Sequence, residues 1–263
     1  MTALRTIDWI DGAIVIIDQT RLPDELVLLT LRDVDDLVGA IRRLAVRDAD
    51  IAANRAIARR GADVLGDSSR VLTHCNAGAL AAVEVGTALA VIGELHARGA
   101  LQLAYACETR PLLQGARLTT WELARMGIAY RLIVDGAAAG LIVGGYVDAV
   151  VVGADRIAAN GDVANKVGTL AHALAARRAG IPFIVAAPES TIDPDTATGA
   201  DIRIEMRDDE EVLAFRSTRS AAAGATALNP AFDVTPADLV TAIVTERRTI
   251  EPALAAGAFA AAR

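Results

Sequence analysis

Aromatic side chains are scarce in this chain: Phe, Trp and Tyr make up 3% of 263 residues, although 53% of the residues are hydrophobic. A core with so few rings has to be filled by Ala, Val, Leu and Ile. Cysteine is also rare. Cys75 and Cys107 are the two in the chain, which excludes a disulfide scaffold and fits a reducing compartment. The three histidines, His74, His96 and His172, are scattered without paired ligand spacing, so no metal site is expected. Basic stripes are missing and the net charge is −7, which argues against nucleic acid as a partner. Uncharged runs such as 136–147 are too short to span a bilayer. The opening residues, Met1 to Asp11, carry acidic groups inside their apolar stretch, so neither a signal peptide nor a membrane partner is expected. The composition describes a soluble, cytoplasmic protein. It shows no internal repeats.

The length suits one large domain, or a small domain plus a larger one. Early in the chain, Thr6-Ile7-Asp8-Trp9 and Ala13-Ile14-Val15-Ile16-Ile17-Asp18 flank Asp11-Gly12, a two-residue hairpin signal. Leu26-Val27-Leu28-Leu29 adds a candidate third strand after the turn at Leu22-Pro23-Asp24. Helices are predicted over 34–45, with Val34, Leu37, Val38, Ile41 and Leu44 on one face, and over 51–65. This first section, 1–68, is too small to bury much core alone. From residue 70 onward strands alternate with helices. The strands are predicted at 70–75, 102–107, 129–135, 149–154 and 182–187, and the helices at 77–98, 115–126, 137–144 and 163–179. A further helix is predicted from Pro236 to Thr245, and the Ala-rich tail 252–263 reads as frayed. Alternation of this kind implies an α/β fold: a Rossmann-like parallel sheet with helices on both faces, preceded by a small α+β unit. The domain boundaries are therefore set at 1–68 and 69–263.

Ligands of such sheets bind at the carboxyl ends of the strands. The residues there are Cys75-Asn76, Glu108-Thr109-Arg110, Asp135, Asp155 and Pro188-Glu189-Ser190-Thr191. One edge thus gathers a thiol, carboxylates, an arginine and hydroxyls. The apolar run Ala149-Val150-Val151-Val152 feeds into Gly153-Ala154-Asp155 and then the polar loop Asn160-Gly161-Asp162. Asp162 reads as the N-cap of a helix from Val163, which puts Asn165 and Lys166 in a first turn whose free N–H groups favour anions. A solvated Lys166 and a turn-capping Asp155 are the plainer alternative. Cys75 near a helix N-terminus has the setting of a thiolate, although a lone cysteine is more often a small buried hydrophobe. His74 points to the opposite face of a continuing strand, which speaks against a Cys–His dyad. Arg110 and Gln114 are candidates to hold a sugar phosphate. Glu108 and Arg110 can equally pair across the sheet edge. Cys107 reads as core, and Asp208-Asp209-Glu210-Glu211 as a solvated helix start.

Taken together, several segments carry a resemblance: Thr73-His74-Cys75-Asn76-Ala77-Gly78, Glu108-Thr109-Arg110-Pro111 with Gln114-Gly115-Ala116-Arg117, the stretch 153–166, and Asn229-Pro230-Ala231-Phe232-Asp233-Val234-Thr235-Pro236. In this order they resemble the methylthioribose-1-phosphate isomerases, relatives of the regulatory subunits of translation initiation factor 2B and of ribose-1,5-bisphosphate isomerase. Leu4-Arg5-Thr6-Ile7-Asp8-Trp9 and Asp18-Gln19-Thr20-Arg21-Leu22-Pro23 are similar to that family's opening. The resemblance implies a Rossmann-like carboxyl-terminal domain, a smaller amino-terminal domain and a homodimer. It also implies conversion of 5-methylthioribose 1-phosphate to 5-methylthioribulose 1-phosphate in methionine salvage, with no metal and no organic cofactor. By position in the motifs, Cys75 and Asp155 match the catalytic pair, and Gln114, Asn165, Lys166 and Arg47 match substrate-binding positions. The substrate's anomeric oxygen carries phosphate, so its ring does not open as a free hemiacetal does. Asp155 is assigned to protonate the ring oxygen, with a pKa raised by burial in an apolar pocket. Cys75 is assigned to the C1/C2 end, as proton acceptor or as stabiliser of the transition state.

Two departures from the family pattern stand out. After Val46-Arg47 the family continues Gly-Ala-Pro and a further helical region, whereas this chain reads Arg47-Asp48-Ala49 and passes almost directly to Ile51. Asp48 takes the place of a glycine beside the substrate phosphate. A carboxylate a few ångströms from a phosphate in a partly dry site costs roughly 1–4 kcal/mol. Weak or altered activity on the family substrate is therefore expected. The alternatives are an isomerase of another sugar 1-phosphate and a non-catalytic sensing or assembly protein like the initiation-factor relatives.

Overall fold

The computed structural model describes residues 7–10, 13–19, 21–32, 36, 51–81, 86–215 and 218–252. Apart from Asp36, the predicted helix over 34–45 lies outside them, as do Arg47, Asp48 and the tail beyond 252.

β1 (Ile7–Ile10), β2 (Ala13–Ile17) and β3 (Leu28–Leu31) form an antiparallel sheet in that order. The hairpin is where the Asp11-Gly12 signal puts it, and the third strand lies two residues beyond its predicted place. α1 (Ile51–Leu65) follows as predicted. It packs on α2 (Ala88–Ala97), and the two approach closely at Gly61, where a Cβ would lie 2.4 Å from Val91 Cγ2. Ile57, Ala62 and Leu65 of α1 join the core of the large sheet.

That sheet is built from β4 (Arg70–Thr73), β5 (Leu103–Cys107), β6 (Tyr130–Ile133), β7 (Ala149–Val152) and β10 (Phe183–Ala186), all parallel. β15 (Ala242–Val244) extends it in parallel and β16 (Thr249–Ile250) closes it antiparallel. Among the described residues the strand order is β16-β15-β10-β7-β4-β5-β6. Every residue of β7 and β10 is buried, as parallel strands covered on both faces require. Alternate side chains divide between two cores. Val71, Ala149, Val151, Ile184 and Ala186 face α1 and α2. Leu72, Val150, Val152, Phe183 and Val185 face α4 (Ala138–Val143) and α5 (Thr169–Ala179).

Four predicted helices change. The stretch 77–98 becomes helical only at Ala88. The stretch 115–126 opens with a π-turn, Gly115–Thr119, before α3 (Thr120–Arg125). The helix from Val163 is instead a strand, β9 (Val163–Lys166), which pairs antiparallel with both β8 (Arg156–Ala158) and β14 (Phe232–Thr235). β11 (Ile192–Asp193) completes that four-stranded sheet beside β8. Asp162 caps no helix. Its carboxylate accepts the backbone N–H groups of Gly199 (2.9 Å) and Ala237 (2.9 Å) and so ties three loops together. The helix itself starts at Thr169, after Gly168 at φ +107°. The helix predicted from Pro236 is a single 3-10 turn, Ala237–Leu239, followed by β15. The acidic run 208–211 does open a short helix, α6 (Glu210–Leu213), whose Glu211 is paired with Arg207 at 2.5 Å. A small hairpin, β12 (Ala214–Phe215) and β13 (Thr218–Arg219), comes next.

Candidate active site

The strand order reverses between β4 and β7. β5 and β6 are laid down on one side of β4, whereas β7, β10 and β15 are laid down on the other. The crevice at the carboxyl end of such a switch point is where open α/β sheets bind ligands. Cys75 leaves the end of β4 and Asp155 leaves the end of β7, two directly paired strands with Leu72 opposite Val150.

Three non-glycine residues among the described ones have positive φ: Cys75 (+68°), Thr109 (+64°) and Leu113 (+56°). Each such residue costs roughly 1–2 kcal/mol in the left-handed region. All three lie at this edge, where strain of this kind marks a functional site. Hydrogen bonds hold Cys75 from both sides. Its N–H donates to Thr109 Oγ1 (2.9 Å) and its carbonyl accepts from Thr119 Oγ1 (2.7 Å). Thr109 is held in turn by Asp135, whose carboxylate accepts the N–H groups of Thr109 (2.8 Å) and Arg110 (2.7 Å). The Cys75 thiol is half-buried, and Gln114 Nε2 donates to its sulfur at 3.5 Å. Gln114 can approach because Gly115 lies flat on the end of β5, where a Cβ would fall 1.8 Å from Cys107 O.

Asp155 is exposed rather than buried, so the expected apolar pocket does not surround it. Its loop runs straight into β8, and its N–H donates to Ala164 O at 2.9 Å. That bond places Asp155 beside Asn165. Asn165 and Lys166 are therefore at the predicted edge, but on a strand instead of a helical first turn. Both are buried. Asn165 Nδ2 donates to Thr169 Oγ1 (3.0 Å). Lys166 Nζ donates to Ala231 O (2.8 Å) and sits 4.7 Å over the Phe232 ring. Arg110, a candidate for phosphate, spends its guanidinium on the carbonyls of Pro111 (3.1 Å) and Val212 (2.9 Å). A cleft of about 710 Å³ opens across the 111–117 loop toward Glu211 and Phe215, and neither Cys75 nor Asp155 lines it.

Two groups escape sequence reasoning. The histidines are not all scattered: His74 and His172 stand together with Cys107, one donor atom from each lying within 4.8 Å of the others. Burial lowers both imidazole pKa values, that of His172 to about 3, and raises the Cys107 thiol. His172 Nε2 is 3.6 Å from Cys107 Sγ, and His74 Nε2 lies 2.9 Å from Val167 O. Three donors are one short of a closed tetrahedral metal set. The second group is Glu122 on α3, buried beneath the residues that follow Cys75. Asn76 Nδ2 donates to Glu122 Oε1 (2.8 Å) and the Ala79 N–H donates to Oε2 (2.5 Å). Burial pushes this carboxyl up to about 7. Its one signal in the sequence is spacing: Glu122 stands four residues after Leu118, on the apolar face of its helix.

Residues 25–252 match the profile of the Initiation factor 2 subunit family. A methylthioribose-1-phosphate isomerase of Gemmatimonas aurantiaca is 55% identical over 83% of this chain and 62% of its own length. A 5-deoxyribose 1-phosphate isomerase of Moorella thermoacetica is 56% identical over 80% of this chain and 60% of its own. The chain thus spans about three fifths of the length of these curated relatives. In the crystal structure of 5-methylthioribose 1-phosphate isomerase from Pyrococcus horikoshii, 94% of that chain superposes on 96% of this one, with TM-score 0.91 and 33% identity.

Proposed function

This chain belongs to the Initiation factor 2 subunit family, and from that premise we propose that it is an aldose–ketose isomerase converting 5-methylthioribose 1-phosphate to 5-methylthioribulose 1-phosphate in methionine salvage. The observation that carries the reading is the pair Cys75 and Asp155 at the ends of β4 and β7, on either side of the switch point. Cys75 acts at C1/C2 of the sugar, as proton acceptor or as stabiliser of the transition state. Asp155 protonates the ring oxygen. An exposed carboxyl group is ionised at neutral pH and has no proton to give, so this role requires that the bound sugar and the covering unit exclude water and favour its protonated form. Gln114, Asn165 and Lys166 contact the substrate, and Lys166 supplies positive charge to an acidic molecule that must take up a phosphate. Arg47 completes the set from the amino-terminal side.

The division into 1–68 and 69–263 assigns the covering role to the smaller unit. Its contacts support this: Gln19 Nε2 donates to Leu80 O just after the Cys75 turn, and Ile17 and Leu22 pack against Leu80 and Leu118. We further propose a cytoplasmic homodimer. The exposed Leu132 and Val134 at the β6 edge, with Val143 and Tyr146 after it, offer an apolar face for a second copy. Among the described residues no helix is long and apolar enough to cross a membrane.

Turnover of 5-methylthioribose 1-phosphate by wild type and Asp155→Asn, followed by NMR, tests the reading. Turnover by wild type that Asp155→Asn abolishes is the expected result. Turnover unaffected by the substitution, or none with any ribose 1-phosphate, overturns it. The Moorella relative supports a second reading, isomerisation of 5-deoxyribose 1-phosphate. Preferential turnover of that sugar would select it.

A further inference from the structure

The segment 114–122 reaches the Cys75 turn with three side chains: Gln114 at the sulfur, Thr119 at the carbonyl and Glu122 beneath the residues that follow. Gln114 and Thr119 are five apart. In an α-helix they would point roughly 140° away from each other. The π-turn removes that difference, because its bonds close i to i+5, here from Thr120 N–H to Gly115 O, and residues five apart come to one side.

Glu122 is the only carboxylate in this group. Its Oε1 accepts from Asn76 Nδ2 (2.8 Å) and Leu80 N–H (3.5 Å), and its Oε2 accepts from Ala79 N–H (2.5 Å). Asn76 Nδ2 also donates to Thr119 Oγ1 (3.2 Å), the hydroxyl that holds the Cys75 carbonyl. The chain is wrapped tightly around the carboxylate: a Cβ on Gly78 would lie 2.3 Å from Glu122 Oε1. A short polar residue could cap this turn from within it. A buried carboxyl group reaching in from another element is a less common anchor, and its loss leaves the buried donors of Asn76, Ala79 and Leu80 without their acceptor.

We propose that Glu122 is a positioning residue for Cys75, fixing the direction of the thiol through Asn76, Thr119 and the 78–80 backbone. The inference rests on Cys75 belonging to the active site, and its geometry is independent of which sugar is turned over. Thr119 relays the constraint, and the π-turn keeps Thr119 and Gln114 aimed at the same residue.

The experiment is the rate of Cys75 alkylation by iodoacetamide, read by mass spectrometry of its peptide. The fully buried Cys107 serves as internal control. Glu122→Gln leaves volume and helix intact but presents an NH2 where an N–H donor must be received. Thr119→Val cuts the relay while leaving the carboxylate in place. Both variants are expected to alkylate Cys75 about tenfold faster, with Cys107 still protected. With a turned-over sugar, kcat should fall about tenfold or more with KM changed less than threefold. Unchanged Cys75 reactivity in both variants overturns the proposal. So does faster modification confined to Glu122→Gln and shared with Cys107, since that marks a general loosening. A wild type without isomerase activity would remove the isomerase reading but leave the alkylation result to decide this one.

Discussion

His74 and His172 meet edge to face, with ring centroids 4.8 Å apart, although one follows β4 and the other lies on α5. Both rings are buried and neither Nδ1 has a hydrogen-bond partner. Their folded pKa values lie below the ordinary imidazole value. The unfolded chain therefore takes up protons that the fold refuses, and stability falls as pH drops below about 6.5. For His172, lowered to about 3, the loss between pH 7 and pH 5 is about 2 kcal/mol. His172→Leu should flatten the pH dependence of urea unfolding over that range by about this amount. An unchanged slope would show that His172 is not held neutral.

Glu122 works in the opposite direction. Its folded pKa of about 7 lies above the value of an exposed glutamate, so its contribution is complete below about pH 4.5 and disappears as pH rises through 7. Asn76 and the N–H groups of Ala79 and Leu80 hold it, and among the described residues no cation pairs with it. Between pH 4.5 and pH 8, wild type should lose about 3 kcal/mol relative to Glu122→Gln in chemical denaturation. Parallel curves for the two proteins would contradict the shift.

Gly115 admits no side chain, because the carbonyl of Cys107 occupies the Cβ position. Gly115→Ala should destabilise the protein by about 3 kcal/mol through overpacking, or move the π-turn and with it Gln114. A thermal melt within a degree of wild type and an unchanged Cys75 alkylation rate would together refute this.

For the proposed homodimer, Leu132→Lys combined with Tyr146→Lys should yield a monomer by light scattering while circular dichroism stays unchanged. Both side chains are about half exposed in the single chain, 48% and 56%, so the substitutions disturb no core. A dimer that survives them would place the interface elsewhere.

The parallel sheet and its edge were legible because the central strands are short and mostly apolar, β7 and β10 uncharged and rich in Val and Ile, and because Cys75 and Asp155 stand just past the ends of β4 and β7. β9 was not legible. Val163-Ala164-Asn165-Lys166 follows a cap-like Asp162 and precedes a true helix, and what makes it extended is pairing with Phe232–Thr235, far along the chain. Gly168 was the available clue, since a helix running from 163 to 179 would have to pass through it. Likewise, 242–244 is extended because β10 offers it a parallel edge. The burial of Glu122 and the meeting of two distant histidines depend on how separate elements stack, which no local pattern encodes. Asp155 was placed correctly at the edge, but its exposure depends on what covers that edge, and strand patterns carry no information about that.

The scarcity of rings also gives the protein an optical property. Trp121, one of two tryptophans, is the immediate neighbour of Glu122, half-buried against Leu80 with the Arg125 guanidinium 4.8 Å from its ring. Its emission should therefore report on that cation and on the packing around Leu80. Changes around Cys75, whether from the proposed substrate or from a loosened turn, should be open to ultraviolet fluorescence without any attached label.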